Sequence, residues 1–229
     1  MSTGDPTGGR LDPGAARGIL GADTVEAARH LLGALLVRDE RIVRIVEVEA
    51  YIGPEDLASH ARFGRTLRNA VMFGPPGVAY VYLVYGMYHC LNVVTGTDAT
   101  AAAVLIRAAE PVAGVDAMRA GRSAQRSVRG RLRGASEHAA EVPPSRLASG
   151  PGVLCAALSI DRDLSGTDLL GPASPLRLEL PTEPLPDDRI GTSARVGIAY
   201  AAEPWRSRPW RFFDRASASV SGPVAARRG

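Results

Sequence analysis

Residues 41–51, RIVRIVEVEAY, decide the fold class. Their β-branched content predicts a strand, and strict alternation puts Val43, Ile45, Glu47, Glu49 and Tyr51 on one face. Two carboxylates and a phenol thereby share a side. Upstream, Asp23 and Glu26 make a capping-box-like start, and Val25, Ala28, Leu31, Leu32, Leu35 and Leu36 follow at helical spacing. Downstream, Ser59–Gly74 has no clean period, holds Arg62, Arg65 and Arg68 without an acidic residue, and predicts an ordered basic loop. Val78–Val84 and Tyr88–Thr95 predict a hairpin with Tyr85-Gly86-Met87 at its tip, and Ala103–Ala108 a further strand holding Arg107. Glu110-Pro111 predicts the opening of a short helix, because proline's missing N–H is harmless at a first helical position. Gly150-Pro151 predicts a third helix through Ile160, and Leu176–Leu180, Ala194–Tyr200 and Arg211–Val220 predict strands. That order points to an α+β sheet with helices packed around it.

At 229 residues, 45% hydrophobic and 22% charged, the chain can bury one substantial core, so a single domain is expected. The Gly/Pro/Ala-rich residues 1–18 predict a disordered leader, residues 19–222 the domain, and residues 223–229 a disordered tail. No run of about 18 apolar residues and no signal-peptide h-region is present, which favours the cytoplasm over a membrane or secretion. Cys90 and Cys155 sit among apolar neighbours with no CxxC or Cys/His spacing; they read as buried reduced thiols, and no metal is expected. All 27 basic residues are arginine, since the chain contains no lysine. The net charge is +3, yet Arg119–Arg146 holds seven arginines against Glu137 and Glu141; 7 − 2 = +5, leaving −2 for the rest. Residues 119–147 thus predict a flexible arginine-rich insertion, read either as a polyanion contact or as a solvated loop of a GC-rich genome.

Glu49 ends an apolar strand, where desolvation or a positive partner must govern its carboxylate. The residues after it, Tyr51 to Asp56, then His60, Gly64-Arg65-Thr66 and Arg68-Asn69, serve no evident core. Tyr80, Tyr82, Tyr85 and Tyr88 place four of six tyrosines within nine residues. Tyrosine favours strands, but stacked aromatics also hold an extruded base at about 1–3 kcal/mol each, against a flipping cost of a few kcal/mol. Tyr85 at the hairpin tip is placed to act as a wedge. No Ser-His-Asp order, P-loop or dinucleotide glycine pattern stands out.

Five segments, VEVEAYIGPEDLASHARFGRTLRNAVMFGPPG, YVYLVYGMYHCLNVV, VLIRAAEP, LASGPGVLCAALSI and a terminal RFF...VS, together resemble the alkyladenine (3-methyladenine) DNA glycosylases, in order from about Thr24 to Val220. The resemblance implies a single α+β domain with a curved, mostly antiparallel mixed sheet surrounded by helices. It implies Glu49 as the water-activating carboxylate and Arg107 as the arginine positioning that water. Tyr51, His60, Tyr82 and Asn92 match the residues around the extruded base, with Asn92 crowding out the guanine amine, and Tyr85 matches the intercalating tyrosine. Arg65 and Arg68 are candidate contacts to the DNA backbone, while Val153 stands where relatives often carry lysine. The implied partner is double-stranded DNA containing damaged purines, with no cofactor, no metal, no membrane and no obligate protein partner, the protein acting as a nucleoid-associated monomer. Without lysine, a Schiff-base strand cut lacks its usual amine, so a monofunctional enzyme is expected. Two other readings are a non-catalytic damaged-DNA-binding protein, which would not need Glu49, and an O-glycoside hydrolase built on Glu47 and Glu49, which lie about 7 Å apart along one strand.

Overall fold

The computed structural model describes residues 9–97, 100–133 and 142–222, with backbone alone for 126–133. Two helices, α1 (Pro13–Gly21) and α2 (Thr24–His30), lead into the strands β1 (Leu35–Arg38), β2 (Arg41–Tyr51), β3 (Ala79–Val84), β4 (Tyr88–Thr95) and β5 (Ala102–Ala113). Helices α3 (Val115–Arg133) and α4 (Pro151–Ala157) precede the short strands β6 (Arg177–Glu179), β7 (Ile190–Ser193) and β8 (Arg211–Asp214). The sheet runs β3-β4-β5-β2-β1-β6, with β8 also on β2 and β7 on β8, and every one of these pairings is antiparallel.

β2 organises this sheet because it is long enough to pair with three neighbours. Its first residues pair with β1 and its later ones, Glu47 to Glu49, with β8, while the other edge carries β5. Pairing with β5 passes from Ile45↔Ala109 to Glu47↔Ala108 to Val48↔Ile106, so Val46 is the extra residue on one strand and Arg107 on the other. These facing bulges break the alternation expected from the sequence. Val43 and Ile45 lie in the main core, as do Val48 and Ala50 after the bulge, whereas Val46, Glu47 and Glu49 face away from it. The reading that grouped Val43 and Ile45 with the carboxylates is corrected by this one inserted residue; a bulge re-aims every side chain beyond it.

One face of the sheet packs against the helices, burying Leu20, Leu31 and Leu32, then Val81, Leu91, Val93, Val104 and Ile106, and Leu154 and Leu158. The alternate residues of the same strands, Tyr80, Tyr82, Cys90 and Asn92, occupy the opposite face with Glu47, Glu49 and Tyr51. Cross-strand register aligns Tyr80, Asn92, Leu105 and Glu49 in one row. The site is therefore laid out on the face the helices leave free.

Several sequence expectations need correction. Asp12 caps α1 through its carboxylate, which accepts from Gly14 and Ala15 N–H, so residues 9–18 are not a disordered leader; residues 1–8 and 223–229 lie outside the described residues. Asp23 does cap α2, but the helix ends at His30 and Gly33, at φ +84°, turns the chain into β1, so the leucines of 31–36 serve two elements. Glu110-Pro111 continues β5 rather than opening a helix, since Arg44 pairs with Glu110 across the sheet. Gly114, at φ +73°, makes the turn into α3, where a Cβ would sit 2.4 Å from Glu40 O. Arg119–Arg133 belongs to α3, with Met118 buried, Gly121 against α4 and Arg122 donating to Arg146 O. The arginine-rich stretch is thus helical in its first half and not a flexible insertion there; residues 134–141 lie outside the described residues. The stretch Ala194–Tyr200 is a loop, and β8 is shorter than Arg211–Val220. Both cysteines are buried and unpaired, as expected from their neighbours.

Candidate active site

Glu49 is fully buried, and both carboxylate oxygens are engaged. Tyr51 Oη donates to Oε2 at 2.8 Å, Val196 N–H donates to Oε1 at 2.7 Å, and Arg107 Nη1 stands 3.3 Å from Oε1. Burial, together with the adjacent Glu49 charge, holds the Tyr51 phenol well above its ordinary value, so it serves as a donor. Burial alone would weaken the charge of Arg107, but Glu49 and Glu47 outweigh it and raise the guanidinium above its usual range.

Glu47, two residues earlier, anchors the other side of Arg107. Its Oε1 accepts from Arg107 Nε at 2.8 Å, Arg211 Nε at 2.8 Å and Ser221 Oγ at 2.9 Å, and Oε2 accepts from Ser221 N–H at 2.6 Å. Burial works against its ionisation, yet Arg107, Arg211 and the Ser221 N–H together hold its carboxyl below the ordinary value. The guanidinium of Arg107 is consequently gripped at Nε by Glu47 and offered at Nη1 to Glu49. Charge-assisted contacts of this fork geometry fix direction as well as energy.

Beside this polar row lies an aromatic cluster. The His60 and Tyr82 rings meet edge to face at 4.5 Å, Tyr80 and Tyr82 lie 5.3 Å apart, and His60 Nδ1 is 3.1 Å from Tyr80 Oη. Asn92 donates to Tyr80 O at 3.0 Å. The basic loop is stapled by buried Asn69, which donates to His60 O and Gly64 O and accepts from Thr66 N–H. Arg68 donates to Leu83 O and lies over Tyr82, and Arg65 lies over Phe73. Tyr85 is 87% exposed at the hairpin tip, held at φ +52° with Gly86 at +69°. Six of the seven large apolar side chains exposed among the described residues are Leu57, Phe63, Leu67, Tyr85, Val196 and Tyr200. These six lie on the segment between β2 and β3, at the β3–β4 turn and on the loop between β7 and β8.

Burial, then Arg68 and Arg62, pull the His60 imidazole down to about 4, so the ring is neutral at neutral pH. Unfolding would restore an ordinary histidine near 6.5. Because the folded value is the lower one, this contribution to stability is complete above about pH 6.5 and is lost as the pH falls toward 4. The melting temperature is expected to fall between pH 7 and pH 5, and less steeply in His60→Phe; parallel curves for the two proteins would refute this.

The structure brings Glu49, Arg107 and Tyr51 together through an ion pair and a hydrogen bond, and His60, Tyr82 and Asn92 through ring contacts and hydrogen bonds around Tyr80. It leaves Tyr85 and Arg65 outside direct contact with either. The sequence reading missed Glu47 as the anchor of Arg107, Tyr80 as the centre of the aromatics, and Val196 as a donor. Only the even spacing of Tyr80, Tyr82, Glu47 and Glu49 signalled any of these.

A family profile described as methylpurine-DNA glycosylase matches residues 19–218. A protein of Anaeromyxobacter sp. (strain Fw109-5), named "Putative 3-methyladenine DNA glycosylase", is 46% identical over 216 residues, spanning 90% of this chain and 91% of that one. Proteins of the same name from Nocardia farcinica and Methanocella arvoryzae are each 47% identical, over 87% and 86% of this chain and 86% and 90% of their own lengths. No helix among the described residues is long and apolar enough to cross a membrane. A match across most of the chain shows that this chain belongs to the methylpurine-DNA glycosylase family.

Proposed function

We propose that the protein is a monofunctional DNA glycosylase that extrudes alkylated or deaminated purines from duplex DNA and hydrolyses their N-glycosidic bond. The observation that carries this reading is Glu49: a buried carboxylate held by two hydrogen bonds and an arginine ion pair beside a cluster of aromatic rings. A 3- or 7-alkylated purine is cationic and leaves readily, so one carboxylate suffices. Glu49 takes a proton from a water whose oxygen bonds to C1′, the bond from C1′ to the purine nitrogen breaks, and the base departs with that electron pair. The carboxylate also stabilises the oxocarbenium character of the transition state, with Arg107 holding it in place. For neutral lesions such as hypoxanthine, the main-chain N–H of His60 is a donor to a ring nitrogen. Tyr51, His60, Tyr82 and Asn92 hold the base, Tyr85 fills the vacated stack, and Arg65 and Arg68 meet phosphates. The protein acts as a cytoplasmic monomer on DNA.

The O-glycosidase reading finds no support in Glu47, since two arginines and Ser221 occupy both of its oxygens. The test is incubation with duplexes carrying one 3-methyladenine, 7-methylguanine or hypoxanthine, followed by chromatography of free base. Release without strand cleavage is expected, with no covalent adduct trapped by borohydride, because the chain offers no lysine amine. Binding to every lesion without release from any would favour the damage-binding alternative, and efficient borohydride trapping would overturn the monofunctional assignment.

A further inference from the structure

We infer that Arg195 is a positioning residue for the water-activating carboxylate, gripping the chain just after Glu49 and fixing both of its hydrogen-bond donors, Tyr51 and Val196. The inference rests on the glycosylase reading above. Arg195 lies in the loop between β7 and β8, and its side chain is wholly buried. Nη1 donates to Ala50 O at 2.8 Å, the carbonyl between Glu49 and Tyr51. The guanidinium lies over the Tyr51 ring, with Cζ 4.6 Å from its centroid, and that ring's hydroxyl is the Oε2 donor. The next residue along the chain, Val196, supplies the Oε1 donor. One guanidinium thus controls the backbone beside Glu49, the phenol and the amide.

Arg195 is itself held from the other directions. Asp56 pairs with it through two bonds of 2.5 and 2.9 Å, Trp205 O accepts from Nη2 at 3.1 Å, and Trp210 lies 5.1 Å away with Arg208 stacked 4.7 Å from the same indole. Asp56 is in turn fixed by Ile52 and Ala58 N–H. A buried ion pair is a poor device for stability alone, because desolvation offsets its attraction and a packed apolar pair does as well. What the arrangement does provide is direction: a planar fork that can stack and bond in its plane at once, which lysine cannot do.

The test compares wild type, Arg195→Lys, Tyr51→Phe and the double variant in single-turnover base release, lesion-duplex binding and thermal melting. Arg195→Lys keeps the charge beside Asp56 but loses the fork. Lesion affinity is expected to stay within about threefold, while release falls on the order of tenfold to a hundredfold, as displacement of a reacting group by about 1 Å does. Tyr51→Phe alone, losing one hydrogen bond, is expected to slow release about fivefold. If Arg195 acts through Tyr51 and Val196, the double variant is little slower than Arg195→Lys. Multiplying losses, or binding that falls in step with release, would overturn the inference, as would an Arg195→Lys variant with wild-type release. Should Arg195→Lys fail to fold, Asp56→Asn enters the same cycle with the same expectation. Wild type releasing no base would defeat the glycosylase reading itself, a different result from multiplying losses in an active enzyme.

Discussion

Glu49→Gln is expected to lose base release while keeping its fold and its affinity for a lesion duplex. Glutamine matches glutamate in shape, its carbonyl can still accept from Val196 N–H and face Arg107, and the Tyr51 hydroxyl can turn to accept from the new amide. What disappears is the negative charge and the ability to take a proton. General-base help is typically worth about 10² to 10⁴ in rate, so single-turnover release is expected to fall at least about a hundredfold. Arg107 loses one of two carboxylates but keeps Glu47, which limits the stability cost to about 1–3 kcal/mol. Base release and lesion binding, measured separately on the same duplex, decide the matter. Release within a few-fold of wild type would assign the chemistry to another group, and binding lost along with release would make Glu49 a structural strand-end residue.

How much of this was legible in the sequence differs between sheet and site for physical reasons. The β2, β3 and β4 segments are visible because β-branched and aromatic residues are concentrated there, and within β2 the period puts Glu47, Glu49 and Tyr51 on one face, as the structure has them. It fails upstream of Val46, since a bulge leaves no mark in a hydrophobic pattern and reverses the face of Val43 and Ile45. The leucine run 31–36 fits helix or strand equally, and only Gly33 divides it. Roles for Glu49, Arg107 and Tyr51 came from family resemblance; spacing alone marked the first as a strand-end carboxylate. Arg195 and Val196 were hidden because their segment reads as a strand, whereas its function depends on an irregular loop that turns one N–H and one guanidinium inward. Long-range hydrogen bonds of this kind have no local sequence period to reveal them.

The same two-residue spacing yields a second large effect of opposite kind. Glu47→Gln is expected to destabilise the fold by about 3–5 kcal/mol, because it leaves two buried arginines facing a neutral amide. For a domain of this size that lowers the melting temperature on the order of 10 °C. The pH dependence identifies the cause. Burial alone would raise the Glu47 carboxyl, but Arg107, Arg211 and the Ser221 N–H hold it below its ordinary value of 4.5 in the folded state. Its stabilisation is therefore complete above about pH 4.5 and is lost as the pH falls through the folded value, so the gap between wild type and Glu47→Gln should narrow in acid. Denaturant midpoints at pH 7 and near pH 4 measure that gap; a constant difference would attribute the loss to packing instead of charge. Release also suffers in Glu47→Gln, since Arg107 loses the anchor at Nε that aims Nη1 at Glu49. Glu49→Gln keeps most of its stability and loses its chemistry, whereas Glu47→Gln loses stability first and chemistry through Arg107, so two neighbouring carboxylates on one strand separate cleanly into a reacting group and the support of its arginine.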